Sequence, residues 1–164
     1  MIKSKSTNKP TSSFAGIDSA TPDGNKKKLG EGEHLIEIED CQLIDGFYGL
    51  TYVIECQVVE SSNPENPPGS DASITITGLG DRARHESAVG RVKSFLSAVL
   101  GLDVYSAIPC DGETWESLAD GSVSPSQPFA GEKLRATGYK KPTKNIDAVT
   151  GQPYQFMVWS FSAV

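Results

Sequence analysis

The chain reads as a mainly β domain, five short strands forming a small barrel with one amphipathic helix between the third and fourth. Three observations predict this. Segments with an apolar residue at every second position occur before residue 78 and again after residue 132. Residues 85–103 carry instead the three-and-four spacing of a helix stripe. The resulting order is three extended runs, a helix, and a final pair of runs joined by a loop.

Residues 1–29, rich in Ser, Thr, Lys, Gly and Asn, read as a flexible basic N-terminal arm ahead of a single domain at 30–164. The arm holds six lysines against two aspartates, so a chain of net charge −6 leaves −10 for the domain. The first strand, "HLIEIEDCQLI" (34–44), alternates in part. The second, "LTYVIECQVVES" (50–61), puts Tyr52, Ile54, Cys56 and Val58 on one side and Thr51, Glu55 and Gln57 on the other. "DGFYG" between them is a turn with Phe47 and Tyr48 at its tip. Three prolines keep "SSNPENPPGSD" out of a sheet, because proline has no N–H to donate to a ladder. "ASITITG" (72–78) then resumes the period of two, with Ile74 and Ile76 inward.

In "HESAVGRVKSFLSAVLGLD" the residues Ala88, Val89, Val92, Phe95, Leu96, Val99 and Leu100 form the stripe, and Gly101 stops the helix. Gly90 inside it costs up to ~1 kcal/mol relative to alanine, which predicts close packing there. Residues 103–130 read as an insertion, with "DGETWESLADG" as a short helix and Pro125 and Pro128 in the loop after it. "EKLRATGYKK" (132–141) and "PYQFMVWSFSAV" (153–164) are the last two strands, joined by a long loop with Gly151 near its end. Three strands, a helix and a hairpin match the five-stranded OB-fold-like barrel, whose closure removes exposed strand edges. A β-sandwich would leave the helix without a seat.

Composition narrows the function classes. No apolar run approaches the ~20 residues that span a bilayer, and the lysine-containing start lacks an apolar core, so a cytoplasmic location without membrane attachment is expected. Cys41, Cys56 and Cys110 form no CxxC pair and stand apart from His34 and His85, which argues against a disulfide framework, a metal site or a cofactor. No Ser-His-Asp set or glycine-rich phosphate loop is present, so the chain reads as non-catalytic.

Charge is strongly segregated. From Leu29 to Asp81 there are eleven carboxylates and no Lys or Arg, and from Ser94 to Glu132 six carboxylates and again no cation. The nine basic residues outside the arm fall into two clusters: Arg82, Arg84, Arg91 and Lys93, then Lys133, Arg135, Lys140, Lys141 and Lys144. A potential follows local charge within a Debye length of ~8–10 Å, so a basic groove can coexist with an acidic body. If Leu134 and Ala136 face the core, Arg135, Thr137, Tyr139 and Lys141 emerge together on the opposite face. Lys140 and Lys144 then flank the following loop. In an OB barrel that loop and the loop bearing Phe47 and Tyr48 border a surface across strands two and three. Cations for phosphates and flat rings for unpaired bases are what single-stranded DNA requires.

The candidate contacts are therefore Phe47, Tyr48, Arg82, Arg84, Arg135, Tyr139, Lys140, Lys141 and Lys144. Tyr139 reads either as an ordinary strand aromatic or as a stacking platform, and Arg82 and Arg84 either as loop solvation or as phosphate ligands. Glu55 opposes the reading, since it falls on the presumed binding face. Trp115 reads as satellite packing and Trp159 as core. A last strand apolar on both faces calls for a second cover: the arm, the insertion, or a second subunit, in a homo-oligomer formed through the last strand or the N-terminal arm.

At "GEHLIEIEDCQLI", "GRVKSFLSAVLGLD" and the terminal hairpin the chain resembles a family of phage-encoded single-stranded-DNA-binding or recombination-associated OB-fold proteins. The likeness covers about residues 29–164 and rests on the Gly-Glu-Gly-Glu entry (Gly30 to Glu33) and the Leu-Gly-Leu-Asp helix end (Leu100 to Asp103). It implies non-catalytic binding of single strands in phage DNA replication or recombination, in the host cell cytoplasm. The acidic tail common among single-strand-binding proteins has no counterpart in "WSFSAV". The competing expectation is a protein-interaction or virion structural component, motivated by the acidic body and the apolar last strand.

Overall fold

Period-two alternation becomes a five-stranded antiparallel sheet. The structure, a computed structural model, describes residues 27–164 apart from 47, 48 and 111. Its elements are β1 (Gly32–Gly46), β2 (Gly49–Ser61), β3 (Asp71–Ile76), α1 (His85–Leu100), α2 (Trp115–Ser122), β4 (Lys133–Ile146) and β5 (Pro153–Ala163). The strand order is β3-β2-β1-β4-β5, so β3 and β5 are the edges. Most of the predicted arm, residues 1–26, lies outside the described residues. Of its last three, Lys27 to Leu29 pair with β3 in parallel at Ser73, and Leu29 is buried.

On β2 the side chains of Tyr52, Ile54, Cys56 and Val58 are all buried, as their spacing requires. β1 alternates only in part because it changes phase: Ile36 and Ile38 are buried, the register slips between Ile38 and Asp40, and Cys41 takes the next inward position. Beyond this bulge β4 no longer accompanies β1. There the Gln127 side chain donates to the Cys41 carbonyl (2.9 Å) and accepts from the Cys41 N–H (2.8 Å), replacing the lost strand partner. The insertion thus completes the edge of β1.

The loop between β2 and β3 folds back over the Gly30 to Glu33 entry. Asn66 accepts from the Gly30 N–H at 2.9 Å, Asn63 donates to the Glu31 carbonyl at 2.8 Å, and Ser62 accepts from the Glu33 N–H at 2.9 Å. A side chain at Gly32, whose φ is +125°, would put its Cβ 2.5 Å from Ser62 Oγ. Buried His34 joins the same network: its Nε2 donates to the Gly30 carbonyl (2.9 Å), and its Nδ1 is hydrogen-bonded with the Ser61 hydroxyl (2.8 Å).

α1 lays Ala88, Val92, Phe95 and Leu96 on the sheet and ends at Gly101 in the left-handed region. Phe95 is fully buried and meets Tyr52, Phe129 and Phe161 edge-on, with ring centroids 5.9, 6.4 and 5.5 Å away. One ring therefore ties helix, sheet and insertion together. The close packing expected at Gly90 does not occur: a Cβ there would meet nothing within 4 Å. The short helix of the insertion is present as α2, whose Thr114 cap and Ser117 bond reciprocally. Among the described residues no helix is long and apolar enough to cross a membrane.

Candidate nucleic-acid interface

On β4, Leu134 and Ala136 are fully buried while Arg135, Tyr139 and Lys141 are exposed, so the three candidate contacts share the outer face. Cross-strand register builds the rest. Lys141 stands directly opposite Phe156 of β5, and Tyr139 opposite Val158. Directly opposed side chains are neighbours, and diagonal ones remain within reach of aromatic rings. Lys141 Nζ lies 6.0 Å from the Tyr139 ring centroid. Tyr154, two residues before Phe156, lies on the same face of the strand. Tyr139, Tyr154 and Phe156 are 44%, 53% and 39% exposed, so three flat rings face solvent around Lys141, with Arg135 four residues before Tyr139 on the same face of β4.

Tyr154 and Phe156 were not among the expected contacts. The signal was present: once Trp159 is assigned to the core, alternation sends 158, 156 and 154 outward. Trp159 is indeed buried, its ring lying over Gly138, where a Cβ would approach two ring atoms at 2.6 Å. Phe156 does not share that burial, so β5 is apolar inside and aromatic outside.

The remaining candidates are distributed less evenly. Lys140 has the opposite parity and pairs with Glu31, Nζ to Oε1 3.5 Å, in an exposed bridge. Such bridges contribute little, about 0–1 kcal/mol. Lys144 lies within β4, since the strand extends to Ile146 past a register shift, rather than in the hairpin loop expected there. It is exposed. Arg84 caps α1 without a side-chain bond to it and instead donates to Asp81 Oδ2 at 2.8 Å. That bond, together with the Ala83 N–H, holds the Asp81 carboxyl below its usual range. Arg82, next to it, is exposed. Phe47 and Tyr48 lie outside the described residues, between the paired Gly46 and Gly49 that close the hairpin.

Acidic neighbours set the limits of the patch. β1 offers Glu37 to Lys133 (3.8 Å) and sets Glu33 opposite Thr137, so positive potential grows from β1 towards the outer β4–β5 hairpin. Glu55 pairs in register with Asp40 and Ser73 on β1 and β3, and β1 separates it from β4. The strands β2 and β3 themselves carry Glu55, Glu60 and Asp71 and no Lys or Arg, and the cations nearest to them come from Lys28 at the β3 edge and Arg91 of α1. Trp115 packs against the core, its Nε1 donating to the Ser106 carbonyl at 2.8 Å, with Lys93 Nζ 5.0 Å from its ring. Among the described residues no three His, Cys, Asp or Glu side chains converge as a metal site, and Cys41, Cys56 and Cys110 form no disulfide with one another. No protein-family model matches the chain, and no curated protein matches it.

Proposed function

We propose that the protein binds single-stranded DNA without catalysis and with little sequence preference, in phage DNA replication or recombination, through the outer face of β4 and β5. The observation that carries the reading is the register that sets Lys141 against Phe156 and Tyr139 against Val158, with Arg135 and Tyr154 on the same face. Rings stack on bases of any identity, each worth about 1–3 kcal/mol, while exposed cations follow the backbone.

An OB-type barrel is the architecture we assign. A sheet ordered β3-β2-β1-β4-β5, with its helix after β3, needs only an approach of β3 to β5 to become the partly open five-stranded barrel of that fold. This agrees with the resemblance to phage single-strand-binding proteins.

Fluorescence titration with oligo-dT tests the site. Replacing Arg135, Lys141 and Lys144 by Glu together weakens binding at least tenfold, about 1.4 kcal/mol, in a variant whose circular dichroism is unchanged. Lys140→Glu costs less than Lys141→Glu, because Glu31 already engages Lys140. Unchanged affinity of the folded triple variant removes this face as the site.

A further inference from the structure

The two edges of the sheet leave a second feature unused by this reading. Ser73 turns both backbone groups outward, its N–H donating to the Lys27 carbonyl (3.0 Å) and its carbonyl accepting from the Leu29 N–H (2.9 Å). In an antiparallel ladder alternate residues point their groups the same way, so those of Thr75 face outward too. Among the described residues they have no backbone partner. Between β3 and β5 lies a slot of about 310 Å³, with Thr75 and Thr77 on one wall and Met157 and Trp159 on the other. Two cations line it, Lys28 and Arg91, and no carboxylate does. Arg91 comes from α1, is half-buried, and has no ion pair among the described residues.

We propose that this seam receives an extended acidic peptide of a partner protein, added as a strand along β3 beyond the stretch that Lys27 to Leu29 already cover. Three residues of the chain itself, Lys27 to Leu29, already demonstrate that this edge accepts a parallel strand. Main-chain bonds at Thr75 supply affinity, the Met157 and Trp159 wall takes an apolar side chain, and Lys28 with Arg91 selects carboxylates. A nucleic-acid backbone has no alternating N–H and C=O groups with which to continue a ladder. Residues 1–26 carry four lysines against two aspartates, the wrong sign for a site lined by two cations. Phe156 borders both this slot and the β4–β5 face, so it serves to test neither alone.

The probe is a fluorescein-labelled ten-residue peptide alternating valine and glutamate, titrated into the full chain by anisotropy beside a counterpart with lysine for glutamate. The acidic peptide binds saturably and the basic one at least tenfold more weakly. Arg91→Glu lowers affinity for the acidic peptide at least tenfold, whereas Lys141→Glu leaves it unchanged. Thr75→Pro, which removes one outward N–H at an edge where proline is tolerated, weakens it in a variant of unchanged circular dichroism. Amide exchange at Thr75 slows on binding. No saturable binding, equal affinity for both peptides, an unprotected Thr75 amide, or displacement of the peptide by oligo-dT with the same dependence on Arg91 overturns the proposal, the last by making the seam a nucleic-acid site.

Discussion

Gly138 has no room for a side chain. Its Cβ would lie 2.6 Å from the Trp159 ring and 2.8 Å from Met157 Cε, and the register sets Gly138 directly opposite Trp159. A methionine tip can move, but a buried indole held against His34 at a centroid distance of 6.1 Å cannot move freely. Gly138→Ala should therefore destabilise by about 1–3 kcal/mol, the cost of overpacking, read as a lower urea midpoint at unchanged m. Adding Trp159→Leu to that variant should restore less than additive loss, since the two substitutions share one contact.

Cys41 makes a second residue-scale expectation. Burial pushes its thiol up to about 11, and Tyr52 beside it is raised by burial as well. An unfolded thiol ionises first, so between its ordinary range and pH 11 the unfolded state binds fewer protons than the folded one. Stability is then complete below the unfolded value and falls as pH rises through about 11. Urea midpoints taken from pH 8 upward should show this alkaline loss, shallower in Cys41→Ala and not abolished, because Tyr52 remains.

At the scale of elements, α1 separates packing from propensity. Phe95→Ala removes the ring that joins β2, β5 and the insertion and should cost about 3–5 kcal/mol. Gly90→Ala, exposed and with nothing within 4 Å of its added Cβ, should stabilise by up to ~1 kcal/mol. Both are measured by chemical denaturation, and a destabilised Gly90→Ala would indicate a contact on that face. The helix and β2 were legible because each has one buried face, which leaves a period in the sequence. β1 was half legible, since the slip after Ile38 reverses which parity faces inward. The role of Gln127 was not legible, because a side chain substituting for a strand partner leaves no period at all.

The same division runs through the site. Arg135, Tyr139 and Lys141 could be found from alternation around Leu134 and Ala136. Phe156 and Tyr154 were hidden in a strand apolar on both faces, where only the position of Trp159 decides which side is inside. The pairing of Lys140 with Glu31 joins distant parts of the chain, and local reading carries no trace of it.

For the molecule as a whole, segregation of charge outweighs net charge. A chain of −6 places Glu33, Glu37, Glu39, Asp40, Asp45, Glu55, Glu60 and Asp71 on β1, β2 and β3, and Arg135, Lys141 and Lys144 on β4, so under the proposed reading a nucleic acid would be drawn to the β4 side. Three phosphate contacts give a log–log salt slope of roughly −2 on a single strand, with the residual affinity at high salt coming from stacking.

The most direct test is quenching of intrinsic fluorescence by oligo-dT across a salt series, for the native chain and for Tyr139→Ala. The account predicts saturable binding at low salt, a slope near −2, and a loss of about 1–3 kcal/mol without Tyr139 that persists at every salt concentration. No quenching at low salt, or binding indifferent both to salt and to Tyr139, contradicts it.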